Sequence, residues 1–126
     1  MLVAAIWHLA LGGVGFLYNA SFPVGAAAAR AEGSAHIFGI FETNGWHNAA
    51  AFGLGLVTLY FTLRPARARE AALVIGVAHV GLTLAWMVWD PRTFWFASNM
   101  ADQFVHGSTA VGGVVCGLAT PRSVLR

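Results

Sequence analysis

The run from Thr43 to Leu63, TNGWHNAAAFGLGLVTLYFTL, contains no Asp, Glu, Lys or Arg and opens on an Asn suited to capping a helix. At 1.5 Å of rise per residue, such a run crosses the ~30 Å hydrocarbon core of a bilayer, so it reads as a transmembrane helix. Three more stretches share its character: Met1 to Ala29, Ala71 to Trp89 and Gln103 to Pro121. The expectation is one all-α domain over residues 1–126, an integral membrane four-helix bundle with helices at about 2–19, 44–63, 70–89 and 99–119. Its one sizeable loop is 20–43. The first run reads as a retained helix rather than a signal peptide, because no basic region precedes it and its apolar stretch is long.

Composition agrees. Of 126 residues, 58% are hydrophobic and 10% charged, and the mean hydropathy is +0.68. A soluble domain of this size could not clothe its surface with so few polar side chains. A single cysteine, Cys116, excludes a disulfide scaffold. The isoelectric point near 9.3 does not imply nucleic acid, because the basic residues sit at the ends of apolar runs instead of on one polar face. All seven of them are Arg, which with the run Ala26 to Ala29 suggests a GC-rich genome.

Charge placement sets the orientation. Arg64, Arg67 and Arg69 in the 64–70 turn and Arg122 and Arg126 in the tail outweigh Arg30 and Arg92, whose side also holds Glu32, Glu42, Asp90 and Asp102. Basic residues favour the cytoplasmic side, so both termini are expected in the cytoplasm and the 20–43 and 90–98 loops outside. Tyr18, Trp46, Trp86, Trp89, Trp95 and Phe96 would form an aromatic belt at the outer ends. Pro65 and Pro91 mark helix exits, and Ala26 to Gly33 suits a short interfacial helix.

The chain also repeats itself. Ile6-Trp7-His8-Leu9-Ala10-Leu11-Gly12 aligns with Val77-Ala78-His79-Val80-Gly81-Leu82-Thr83, and Thr43 to Asn48 with Ser98 to Gln103. Two helical hairpins related by a pseudo-twofold axis along the membrane normal would produce this pattern. The segment Gly39-Ile40-Phe41-Glu42-Thr43-Asn44-Gly45-Trp46-His47-Asn48, followed by Gly53 and Gly55, resembles the second-helix signature of the four-helix membrane proteins of domain-of-unknown-function family 4383, mostly actinobacterial. Asn99-Met100-Ala101-Asp102-Gln103-Phe104-Val105-His106 resembles the fourth-helix signature, and His8 with Gly12, Gly13 and Gly15 the first. Members often carry a further His one turn after the first in helix two, where this chain has Ala51. The resemblance implies a multi-pass four-helix protein of the bacterial plasma membrane and lends no activity.

Ionisable groups within a membrane are costly and mark candidate sites. His8, His47, His79 and His106 fall one per helix. On helix three, Gly76, His79, Thr83, Trp86 and Asp90 make one stripe. On helix four, Asn99, Gln103, His106, Ala110, Gly113 and Gly117 make another. The separation of His8 from Asn19 equals that of His79 from Asp90, roughly 16 Å of helical rise, which puts both near mid-membrane. Matched histidines are what a bis-His haem b site requires. A rival metal site would use His47, Asp102 and His106. The plainer role for these residues is hydrogen bonding between helices brought close by small residues. No Gly-x-Ser-x-Gly elbow, P-loop, His-Glu-x-x-His or Cys-x-x-Cys-His motif occurs, so no catalytic residue is assigned and an enzymatic reading is disfavoured.

Three functions stay open. The first is a small polytopic membrane protein acting without catalysis, an accessory or assembly subunit contacting other membrane proteins or a second copy of itself. The second is a haem- or metal-binding redox module using His8 and His79. The third is a small transporter working as a homodimer, with its path between the hairpins.

Overall fold

A computed structural model describes residues 1–29, 33–89 and 95–121. The charge-free runs form its four long helices: α1 (Leu2–Tyr18), α3 (Gly45–Thr62), α4 (Ala68–Val88) and α5 (Met100–Ala119). Between α1 and α3 lie a short helix α2 (Gly25–Ala29) and strands β1 (Ala35–Ile37) and β2 (Phe41–Thr43), and a 3-10 turn (Pro65–Arg67) joins α3 to α4. By length and composition α4 can cross a membrane, and α1 is a shorter apolar helix.

Local chemistry fixes the helix starts. Asn44 accepts from the His47 amide at 3.0 Å and so caps α3. Asn99 accepts from the Ala101 and Asp102 amides at 2.9 and 3.2 Å, while the Asp102 carboxylate accepts from the Asn99 amide at 2.8 Å. That reciprocal pair closes a capping box on α5 and satisfies amides that the helix itself leaves open.

The helices pack as two pairs, α1 on α3 and α4 on α5, with sparse contact between the pairs. Glycines bring the backbones together. A Cβ on Gly12 would lie 2.6 Å from the Phe52 nitrogen, and one on Gly76 would lie 2.5 Å from the Val114 nitrogen. Either added carbon would push its helices apart. The buried set mixes polar side chains with alanines, Ile37 and Ile75, while many large apolar side chains face outward. Buried positions hold His8, Thr43, Asn44, Asn48, Thr58, His79 and Asp102, whereas Leu17, Val3 and Phe104 are 85%, 82% and 79% exposed.

The 20–43 segment departs from the all-α expectation, because part of it is an antiparallel hairpin pairing Ala35 with Thr43, His36 with Glu42 and Ile37 with Phe41. Its turn has positive φ at Phe38 (53°) and Gly39 (73°), and the Ile40 amide donates to the Ile37 carbonyl at 3.0 Å. Two successive left-handed residues match the twist of the strands. Gly39 adopts that conformation freely; Phe38 adopts it at a steric cost, with its ring against Tyr18 at 5.7 Å. The expected helix at Ala26 to Gly33 is met by Gly25–Ala29 alone, and residues 30–32 lie outside the described residues. So do Asp90, Pro91, Arg92, Arg122 and Arg126, on which part of the expected orientation and one helix exit depend.

Candidate functional site

The four intrahelical histidines come together between the two helix pairs. His8 on α1 and His79 on α4 meet directly, with their Nε2 atoms 3.0 Å apart and their rings at 70°. Each Nδ1 faces a carbonyl one turn back on its own helix, Ala4 at 2.7 Å and Ile75 at 2.9 Å. A carbonyl only accepts, so each Nδ1 carries hydrogen when its contact is made. Two neutral rings then supply two hydrogens for three contacts.

His106 on α5 continues the row, its ring 5.4 Å from that of His79 and stacked at 6.1 Å and 29° on His47 of α3. His47 Nδ1 donates to the Ala97 carbonyl at 2.6 Å and also lies 3.2 Å from the Glu42 carbonyl. The β-hairpin thus closes one end of the row. Phe41 on β2 meets Trp7 edge-on at 6.3 Å, and the Asn99 side chain donates to the Ile40 carbonyl at 2.7 Å. Asp102 is buried there, its carboxylate engaged by the Asn99 amide.

Between the pairs lies a cavity of about 310 Å³. All four histidines and Asp102 line it, and the rest of the wall is largely apolar, including Leu11, Leu54 and Leu82. Its size falls within the range of small-molecule sites.

Neither ligand set suggested by the sequence is arranged as a metal site. Two imidazoles on one metal, each about 2.0–2.1 Å from it, would have nitrogens roughly 4 Å apart if opposed. The His8 and His79 nitrogens, at 3.0 Å, are too close for that, so the pair does not fit an axially ligated haem iron. Among the described residues no group of three or more His, Cys, Asp or Glu is arranged to hold a metal ion.

The sequence pattern puts Trp86 and Gln103 in helical stripes, and Trp86 also in the outer aromatic belt, with no part in a site. Both line the cavity. The signal was their three-residue spacing from Thr83 and His106 on the same faces.

Over residues 1–119 the chain matches a family model described as a domain of unknown function (DUF4383). No curated protein and no solved structure matches it.

Proposed function

The chain belongs to the DUF4383 family, and from that premise we propose a multi-pass protein of the bacterial plasma membrane that binds a small, largely apolar molecule between its two hairpins. In this reading all four long helices span the bilayer as a pseudo-repeated pair of hairpins, with both termini cytoplasmic. The reading is supported by buried polar and exposed apolar side chains, and by Arg64, Arg67 and Arg69 lying at the opposite helix ends from Glu42 and Asp102. The observation that carries it is the cavity of about 310 Å³ where the hairpins face each other. Sites of this kind recur between the helices of bundles. A small transporter acting as a homodimer would use the same place.

Trp7 and Trp86 line the cavity, so their emission reports on its contents. In lipid nanodiscs, 2-bromonaphthalene should quench tryptophan emission saturably, and Ala51→Phe, which fills the cavity, should abolish the saturable part. Quenching that never saturates, or that is the same in Ala51→Phe, defeats the proposal.

A second reading, an accessory or assembly subunit for other membrane proteins, is favoured by Gly81 and Gly112. Both are exposed, and a Cβ added to either meets nothing within 4 Å, so a foreign helix could approach closely there. A strictly monomeric protein from which no membrane partner co-purifies would rule it out.

A further inference from the structure

We propose that the molecule held in this cavity carries a hydroxyl group, as an alcohol or phenol on an apolar body, and that Trp86, Gln103 and His106 bind that group. The inference rests on the small-molecule reading above and adds the chemistry of the occupant.

Four buried side-chain polar atoms lack a hydrogen-bond partner among the described residues: Thr83 Oγ1, Trp86 Nε1, Gln103 Oε1 and His106 Nδ1. All belong to α4 or α5, and the last three belong to residues that line the cavity. Buried polar groups are nearly always paired, so unpaired ones on three residues of one cavity wall call for a partner.

The packing register brings them level. Gly76 and Gly113 touch in the antiparallel α4–α5 pair. Ten residues along each helix from that contact stand Trp86 and Gln103, and seven residues along stand Thr83 and His106. That register sets Trp86 level with Gln103 and Thr83 level with His106, the two levels roughly 4.5 Å apart along the helices.

Donor and acceptor chemistry then selects the ligand. The Trp86 indole nitrogen can only donate. Gln103 gives one Nε2 hydrogen to Ser98 Oγ at 2.7 Å, and its unpaired atom is Oε1, which can only accept. The occupant must accept from one and donate to the other. A hydroxyl does both through a single oxygen; a ketone or ether only accepts, and an ammonium only donates. His106 Nδ1 can complete the set in either role. The apolar wall around Leu11, Leu54 and Leu82 takes the body of the molecule.

Water is the competing occupant, and three matched probes separate the cases: 6-bromo-2-naphthol, 2-bromonaphthalene and 2-bromo-6-methoxynaphthalene, titrated by tryptophan quenching in nanodiscs. The naphthol should bind about tenfold or more tighter than either analogue, the ratio expected when two hydrogen bonds are gained. Gln103→Leu, and independently Trp86→Phe, should bring that ratio close to one, with the helical circular dichroism retained, while Ser108→Ala on an exposed face leaves it unchanged. Equal affinities for all three probes mean that water alone serves these atoms and overturn the inference while leaving the cavity reading intact. A naphthol preference that survives both variants also overturns it. Absence of saturable binding by any probe overturns the cavity reading and the inference together.

Discussion

The two hairpins share a plan and differ in how they spend their polar groups. In the first, polar side chains satisfy one another and the backbone. Asn48 donates to the Asn19 carbonyl at 2.7 Å and accepts from the Thr43 hydroxyl. Asn19 reaches the Gly33 carbonyl, and Ser21 bonds both the Asn19 side chain at 2.7 Å and the Gly33 carbonyl at 2.8 Å. In the second, the cap on α5 is complete, but one turn inward Gln103 and His106, opposite Trp86 and Thr83, keep open atoms. The long 20–43 segment supplies the first hairpin with carbonyls to bind. The comparison teaches that side-chain amides and hydroxyls are paired in one half and in part unpaired in the other, so polarity alone does not assign the role.

The harshest test strikes both halves through their glycines. Gly12→Val and Gly76→Val each force a side chain against a partner backbone nitrogen, 2.6 and 2.5 Å from the new Cβ. Each should cost about 3 kcal/mol or more, read as lost thermal stability in detergent. If the hairpins pack independently, either variant leaves protease resistance in the other pair.

A subtler pair of variants aims at the contrast itself. Asn48→Leu strands the Asn19 carbonyl and the Thr43 hydroxyl and should lower stability by about 1–3 kcal/mol. Gln103→Leu removes an unpaired acceptor and a single hydrogen bond, to Ser98 Oγ, so its loss should be smaller, under about 1 kcal/mol. Matching losses in the two variants would erase the distinction between glue and site. Smaller effects come from the caps. Asn44→Ala and Asn99→Ala should each cost about 1 kcal/mol in chemical unfolding, with Asn99 the larger because its side chain accepts from two amides where Asn44 accepts from one. Gly53→Ala and Gly81→Ala, where an added Cβ meets nothing within 4 Å, should shift stability by less than about 1 kcal/mol.

What the sequence made legible was local or periodic. Absence of charge over helix-length runs marks the four long helices, and Asn44 and Asn99 announce their caps because capping depends on neighbours in the chain. The internal repeat placed His8 and His79 at one depth, and they do touch. Their 3.0 Å separation was illegible, since it depends on how closely α1 approaches α4, and that distance decides against an axially held haem iron. The β-hairpin was hidden because its turn asks Phe38 for a left-handed conformation that bulky residues rarely adopt. The open atoms of Trp86 and Gln103 were hidden as well. Whether a polar group is satisfied is a property of the packed structure, visible only when every potential partner has a position.

The pairwise packing of neighbouring helices also sets an order of events. A chain made from its N-terminus can close α1 on α3 before α5 exists, and α4 then closes on α5 as a second local step. Contacts of short sequence separation form quickly, so each pair can assemble without waiting for the other. The surfaces left for last are the two that carry His8 and His79. Until they meet, each half is an intermediate with a histidine-bearing face uncovered, and a molecule that fills the gap would bind only to the finished bundle and draw the two intermediates together.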